Sequence, residues 1–73
     1  MRVRLRSFVV KIWELDNTTS IPSHERTVEA VSQTGALNRA LKLCYGSRSD
    51  KVINAKVINE ADGRQKRFNR YHW

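Results

Sequence analysis

The residues of this chain best suited to nucleophilic chemistry are one cysteine and two histidines. Cys44 with His24 or His72 would supply a nucleophile and its base if the fold brought them together. The sequence offers no evident third group to orient the base. Cys44 also falls on the apolar side of a predicted helix, where a buried and unreactive thiol is the usual outcome. We therefore predict no catalytic residue and a protein that is not an enzyme.

The sequence also gives little support for a metal or a cofactor. The two histidines and the cysteine are far apart and lack the paired spacing of zinc ligands. The three glycines, Gly35, Gly46 and Gly63, are isolated, so they form no glycine-rich loop that could hold a phosphate. The seven acidic residues show no pairing motif. We predict neither a metal site nor a cofactor.

The last ten residues, RQKRFNRYHW, combine the residue types that bind nucleic acids. This segment holds four basic residues, three aromatic residues and no acid. Arginine and lysine neutralise phosphates, and aromatic rings stack on unpaired bases. The residues that we expect to make these contacts are Arg64, Lys66, Arg67, Phe68, Arg70, Tyr71 and Trp73.

The positive charge of the chain is concentrated at its two ends. The net charge is +7, and residues 1–13 contain four basic residues and no acid. These four residues are Lys11 and three arginines, and we expect the arginines, Arg2, Arg4 and Arg6, to contact the nucleic acid. Residues 14–63 hold six basic residues against all seven acids. Because a surface built for solubility mixes both signs, the two basic ends favour binding to a polyanion, although solvated tails carry similar charge runs.

The aromatic residues differ in their expected exposure. Trp13 falls in the middle of a predicted strand, so we expect it in the core or at the core edge. Phe68 is expected to close the small core. Tyr71 and Trp73 are the better candidates for exposure, because chain ends fray.

The N-terminal half is predicted to form two strands. The run VRLRSFVVKIWEL is rich in strand-forming residues, and its even face changes from arginine to apolar around Ser7. This change predicts either an overhang beyond the core or a bulge near Ser7. Residues 16–23 hold turn-forming residues and predict a loop. Residues 24–31 predict a second strand, with a helix starting at Ser23 as the alternative.

The C-terminal half is predicted to form a helix and two further strands. SQTGALNRALKLCYG has an apolar stripe at helical spacing, with Ser32 or Thr34 as the N-cap and Gly46 at its end. The residues of the stripe are Ala36, Leu37, Ala40, Leu41 and Cys44. Residues 51–61 predict a strand with Ile53, Ala55 and Val57 on one face. A turn at 60–63 leads to residues 64–73, predicted to be a last strand or a partly ordered tail.

Strict alternation along residues 64–73 separates the aromatic side chains. It places Phe68 with Arg70 on the even face, and Tyr71 with Trp73 on the odd face.

The β-β-α-β-β order predicts a small α+β domain spanning residues 1–73. One helix would pack on one face of an antiparallel sheet of three or four strands, and the other face can stay open to solvent. A chain of 73 residues forms one domain with a thin core, so a homodimer is a further expectation.

These patterns predict a small, non-enzymatic nucleic-acid-binding protein that uses the basic and aromatic residues of its two ends. They do not choose between DNA and RNA. The alternative is a protein-interaction module, an inhibitor or adaptor, that docks an acidic partner through a sheet face or an edge strand. The small basic chain without catalytic residues is also typical of accessory proteins of phages or mobile elements.

Cysteine content and hydropathy indicate the compartment. One cysteine allows no intrachain disulfide, which favours a reducing environment. The longest apolar run near the start, Phe8-Val9-Val10, is too short for a signal sequence or a membrane span. We expect a cytoplasmic protein with no membrane partner.

Overall fold

Five elements in the predicted order make up the described part of the chain. The computed structural model describes residues 4–47 and 50–73. The elements are β1 (Arg6–Glu14), β2 (His24–Ala30), α1 (Gln33–Tyr45), β3 (Val52–Asn59) and β4 (Gln65–His72). The strands form one antiparallel sheet in the order β2-β1-β3-β4, and α1 packs on one face of it. The predicted α+β class is confirmed, and residues 24–30 are a strand rather than a helix.

Strand β1 is one of the two inner strands of the sheet, and its even positions from Phe8 to Ile12 are apolar. Phe8, Val10 and Ile12 are buried beneath the helix. Pairing with β2 runs without a break from the Arg6–Ala30 pair to the Ile12–His24 pair. Arg6 is exposed on the face where Phe8 is buried, so the start of β1 extends beyond the core, and the alternative of a bulge at Ser7 is wrong.

Helix α1 begins and ends where its capping residues predict. The Ser32 side-chain oxygen accepts a hydrogen bond from the Gly35 backbone N–H at 3.1 Å, which identifies Ser32 as the N-cap. Gly46 has a φ of 76° and donates its N–H to the Lys42 carbonyl at 2.8 Å. A residue without a Cβ adopts this left-handed conformation at little cost, so Gly46 ends the helix.

The core lies in one layer between α1 and the sheet. It contains Phe8, Val10, Ile12, Val28, Ala30, Ala36, Leu37, Ala40, Leu41, Ile53, Ala55, Val57 and Trp73. The predicted helix stripe and the predicted β3 face both lie in this layer, except that Cys44 is only half-buried at its margin. Each large side chain that is fully buried contributes about 1.5–3 kcal/mol, so the few residues of this layer carry most of the stability.

Strand β4 contains a bulge that reverses its alternation. Ile53 faces Tyr71, whereas Ala55 faces Phe68, so two residues of β4 oppose Asn54 of β3. Arg70 occupies the bulge with a φ of 50°, and its backbone N–H donates to the Asn54 side-chain oxygen at 2.9 Å. The extra residue turns Tyr71 to the same face as Phe68. The prediction that these two side chains lie on opposite faces is therefore wrong.

Candidate nucleic-acid interface

The face of the sheet opposite α1, here called the open face, is formed by alternate residues of all four strands. Strand register assigns to it Ser7, Val9, Lys11 and Trp13 of β1; Glu25, Thr27 and Glu29 of β2; Val52, Asn54, Lys56 and Ile58 of β3; and Gln65, Arg67, Asn69 and His72 of β4. Such a one-sided antiparallel sheet exposes a broad surface on which neighbouring side chains stand close together.

Three basic side chains cross the open face in one line, here called the basic row. Lys11 of β1 lies directly opposite Lys56 of β3, and Lys56 lies directly opposite Arg67 of β4. Since adjacent strands are about 4.8 Å apart, the row extends about 10 Å across the sheet. Like charges in directly opposite positions repel each other and destabilise a sheet. An anion bound over the row would relieve this repulsion.

Acidic residues lie at the other margin of the open face, on β2. Glu25 Oε1 is 3.6 Å from Lys11 Nζ and partly neutralises that end of the basic row. Glu29 is on the same edge strand, opposite Ser7. The open face is therefore negative at β2 and positive over β3 and β4. A polyanion would lie closest to Lys56 and Arg67.

A shallow cleft of about 380 Å³, here called the Trp13 cleft, adjoins the basic row. Trp13, Asn54, Asn69 and the loop residues 17–20 line it together with Lys56 and Arg67. Trp13 is half-buried and lies on the face away from the core. The expectation that Trp13 lies in the core or at its edge is wrong, because the buried residues of β1 are its even positions.

The loop that forms one wall of the Trp13 cleft is held by the side chain of Asn17. The Asn17 Oδ1 accepts hydrogen bonds from the Thr19 backbone N–H at 3.0 Å and from the Thr19 hydroxyl at 2.7 Å. Its Nδ2 donates to the Ile21 carbonyl and to the Ser23 hydroxyl, both at 2.9 Å. The Ser23 hydroxyl in turn accepts from the Glu14 backbone N–H at the end of β1. This wall is therefore tied to the sheet before any ligand arrives.

The predicted contacts of the N-terminal end form a different surface. Arg2 lies outside the described residues, and Arg4 and Arg6 are exposed at the start of β1. The antiparallel order places Arg64 at this same end of the sheet, where it and Arg6 line one shallow groove. Asp62 lines the groove as well, and its Oδ2 is 3.8 Å from the Arg64 Nε. Acidic residues thus offset part of the positive charge at this end.

The aromatic residues of the C-terminal end pack on the helix side of the sheet. Trp73 is 8% exposed, and its indole N–H donates to the Gly46 carbonyl at 3.1 Å. The Tyr71 hydroxyl donates to Asn38 Oδ1 on α1 at 2.6 Å. The expectation that both rings are exposed is wrong, because the bulge turns β4 onto the core. Phe68 is half-buried against this core and contacts the Tyr71 ring edge-on at a centroid distance of 5.5 Å.

The predicted basic residues of β4 are divided among three places. Lys66 lies opposite Val57 on the helix side, with its Nζ 5.2 Å from the centre of the Phe68 ring. Arg70 is exposed at the bulge. Arg67 is the predicted residue that joins the basic row. Its partners there, Lys11 and Lys56, and the neighbouring Trp13 were not among the predicted contacts, because strand register and not local composition brings them together.

A cluster of polar side chains surrounds Glu14, at the end of the sheet opposite Arg6 and Arg64. The Glu14 carboxylate lies 3.3 Å from Lys51 Nζ and accepts a hydrogen bond from the Tyr45 hydroxyl, also at 3.3 Å. The hydrogen bond from Lys51 is the main cause that lowers the pKa of Glu14 below its ordinary value. Burial and the nearby Glu14 charge raise the pKa of Tyr45. His24 contacts both residues, so the cluster joins β1, β2, α1 and the start of β3.

Cys44 and His24, which were considered for nucleophilic chemistry, both contact neighbouring side chains of the fold. The Arg26 Nε donates to the Cys44 Sγ at 3.3 Å, at the margin of the core. Within residues 4–47 and 50–73, no three His, Cys, Asp or Glu side chains are grouped so that they could hold a metal ion. In the same part of the chain, no helix has the length and apolar character needed to cross a membrane.

Similarity to other proteins assigns no family to this chain. Comparisons with protein-family models, with curated proteins and with solved structures gave no match. Any functional assignment therefore depends on the geometry and charge of the surfaces of this chain.

Proposed function

We propose that this chain is a small, non-enzymatic nucleic-acid-binding protein that holds the phosphate backbone on the basic row of its open face. The observation that carries the proposal is the register that places Lys11, Lys56 and Arg67 side by side on three adjacent strands. Its expected location is the cytoplasm, because a lone cysteine stays reduced there.

The energetics of the basic row support an anionic ligand. Three cations in directly opposite positions weaken the pairing of β1, β3 and β4 when the protein is free. Phosphates placed over the row would replace this repulsion by attraction and would release counterions from the nucleic acid. The net charge of +7 adds a long-range attraction that speeds the encounter.

The distribution of acids predicts where the strand lies. Glu25 and Glu29 make the β2 margin unfavourable for phosphates, and Glu25 already forms an ion pair with Lys11 at 3.6 Å. The backbone should therefore follow β3 and β4, over Lys56 and Arg67. This path also brings the nucleic acid to the Trp13 cleft.

Two triple variants that remove equal charge from different places test this assignment. Lys11→Gln/Lys56→Gln/Arg67→Gln removes the basic row, whereas Arg4→Gln/Arg6→Gln/Arg64→Gln removes three charges from the sheet end. Affinity for labelled oligonucleotides would be measured by fluorescence anisotropy at several salt concentrations, with circular dichroism as the check of folding. We expect the row variant to lose at least about tenfold in affinity at 0.1 M salt, and the end variant to lose only about two- to threefold.

The salt dependence gives a second measure of the same contact. Two phosphates neutralised by Lys56 and Arg67 on a single strand correspond to a log–log slope of about −1.4, and the row variant should lose most of it. Equal losses of oligonucleotide affinity in the two triple variants would show that binding is not centred on the open face. Failure of the unaltered protein to bind at physiological salt would overturn the proposed function.

A second candidate function, docking of an acidic protein, is favoured by a different surface. A groove of about 760 Å³ runs along the outer side of α1. Leu5, Val31 and Leu43 line it and are each about half exposed. Arg39 and Lys42 add two positive charges to the lining, against one negative charge from Glu29. Apolar residues beside cations suit a partner segment that is both apolar and acidic.

Separate measurements distinguish the two candidate functions. A protein partner should bind with one-to-one stoichiometry and a shallow salt dependence, and Leu43→Glu should weaken that binding while oligonucleotide affinity stays unchanged. Sedimentation equilibrium on the same variant tests the expected homodimer, which should dissociate if Leu43 lies in the dimer interface. An effect of Leu43→Glu on oligonucleotide affinity alone would contradict a separate docking surface.

A further inference from the structure

We infer that the Trp13 cleft receives one unpaired base, so that the ligand of this protein is single-stranded nucleic acid. This inference rests on the proposed function and names the form of nucleic acid that the open face prefers. The cleft and the basic row share Lys56 and Arg67, so a base in the cleft and a phosphate on the row can belong to one nucleotide or to two neighbours.

Trp13 supplies the stacking surface of the cleft. Among the described residues, it is the one Phe, Tyr or Trp side chain on the open face, since the others pack on the helix side. An indole ring that stacks on a base contributes about 1–3 kcal/mol without reading its sequence. A half-buried ring held by the sheet loses little freedom when the base arrives.

Polar groups around the ring can contact the edge of a base. Asn69 lies in the cleft on the β4 side, and exposed Thr18 and Ser20 lie on the loop side. Amide and hydroxyl groups can both donate and accept, so they suit the mixed donors and acceptors of base edges. The four hydrogen bonds of Asn17 fix the loop in advance, which lowers the cost of ordering it on binding.

A duplex would use this surface poorly. Its bases are stacked on one another, and extruding one into a cleft costs a few kcal/mol. A single strand already exposes base faces, so its bases reach Trp13 while its phosphates lie over Lys56 and Arg67. A duplex would bind through the basic row alone, with weaker affinity and no contact with Trp13.

The test compares a labelled single strand of mixed sequence with its duplex, using the full chain and Trp13→Leu. The unaltered protein should bind the single strand at least about tenfold more tightly. Trp13→Leu should lose about 5- to 150-fold in single-strand affinity, the equivalent of 1–3 kcal/mol at 1.4 kcal/mol per factor of ten, with duplex affinity and salt slope unchanged. Trp13→Phe should be intermediate because a smaller ring still stacks.

A second measurement needs no variant. The chain has two tryptophans, so labelling with 5-fluorotryptophan gives two ¹⁹F resonances, and the more exposed Trp13 is identified by its larger shift between H₂O and D₂O. The single strand should move the Trp13 resonance and leave that of Trp73 in place, and the duplex should move neither.

The outcomes separate this inference from the proposed function. If the protein binds both ligands equally and the Trp13 resonance does not respond, the inference is overturned while the proposed function stands. If the basic-row triple variant loses nothing, or the unaltered protein binds neither ligand, the proposed function itself fails. Selective loss of single-strand affinity in Trp13→Leu, together with the selective resonance shift, supports both.

Discussion

The two faces of the sheet are built from alternate residues of the same strands, yet their side chains have opposite effects on stability. On β1, Phe8, Val10 and Ile12 are buried under α1, whereas Lys11 and its neighbours on the open face meet solvent. The covered face gains free energy from each apolar contact. The open face loses some through the alignment of Lys11 with Lys56 and of Lys56 with Arg67.

This difference shows how so short a chain could combine a stable fold with the proposed binding surface. The helix protects one layer of apolar residues, which must supply nearly all of the stability of a 73-residue domain. The other face is then available for charges that would be unfavourable in a core. The faces are therefore expected to respond to substitution in different ways.

The largest expected effect is loss of stability on truncation in the covered layer. Leu37 is fully buried against the sheet, so Leu37→Ala should lower the free energy of unfolding by about 2–5 kcal/mol. A small domain has about 5 kcal/mol in total, so a loss at the upper end of this range would leave a large fraction of the variant unfolded at room temperature. Urea titration followed by circular dichroism measures the change.

Val9→Ala on the open face is the matched control. Val9 is opposite Ile58 and Thr27 and is only half-buried, so the change should cost less than about 1 kcal/mol. Similar losses in Leu37→Ala and Val9→Ala would mean that the open face is itself covered, by a second copy of the chain or by another partner.

The next largest effect is expected at the bulge in β4, which determines the face of the sheet on which Tyr71 lies. Asn54 Oδ1 accepts the Arg70 backbone N–H at 2.9 Å, and this bond replaces one that the bulge removes from the strand ladder. Asn54→Ala should therefore cost about 1–2 kcal/mol in unfolding free energy. Asn69→Ala, on the neighbouring strand of the same cleft, should cost less than about 0.5 kcal/mol.

Amide hydrogen exchange would locate the effect of Asn54→Ala. Faster exchange should be confined to residues 69–73 and the facing part of β3, because the bulge holds Tyr71 and Trp73 on the covered face. Uniformly faster exchange with an unchanged bulge would show that Asn54 stabilises the sheet in another way.

The order of elements was predictable from sequence because each element carries its own local signals. Alternating apolar residues define β1 and β3, and Ser32 and Gly46 mark the ends of α1. The bulge in β4 was not predictable in the same way, since no glycine marks it. Arg70 adopts a positive φ that glycine or asparagine adopts more readily, and a side chain on β3 stabilises it there.

The candidate site was less predictable than the fold because it depends on pairing between distant segments. The charge count identified the basic ends, but of their eight basic residues only Lys11 and Arg67 lie in the basic row. Lys11 and Lys56 are 45 positions apart in the chain and meet only through the register of β1 with β3. Trp13 was expected in the core or at its edge because large aromatic residues in strands are usually well buried, although its odd position places it on the face opposite Phe8, Val10 and Ile12.

On the helix-covered side, in contrast to the open face, we expect a charged residue to stabilise the fold. Glu14 contacts Lys51, Tyr45 and His24 at the margin of the helix-covered side. Its pKa is lowered in the folded protein, so its contribution to stability is present above its ordinary pKa of 4.5 and is lost as the pH falls through the lowered value. Glu14→Gln should cost less than about 1 kcal/mol at pH 7.

The pH dependence is the discriminating feature of Glu14→Gln. The difference in unfolding free energy between the variant and the unaltered protein should shrink as the pH falls from 7 to below the ordinary pKa of 4.5, because the unfolded state then takes up a proton that the folded state with its lowered pKa resists. Glu60→Gln, in the exposed turn, is the matched control and should change stability by less than about 0.5 kcal/mol. A difference for Glu14→Gln that stays constant with pH would assign the effect to packing alone.

The smallest expected change in stability is the most informative about the open face. Lys56 stands between Lys11 and Arg67, so Lys56→Gln should raise the unfolding free energy by about 0.2–1 kcal/mol at low salt, and by less at 0.15 M, where screening weakens the repulsion. The same variant should bind single strands more weakly. Lys66→Gln, on the other side of β4, should show neither effect, since Lys66 faces Val57. A Lys56→Gln variant that is less stable at low salt would show that Lys56 stabilises the sheet, and the contrast between the two faces would then fail at its central residue.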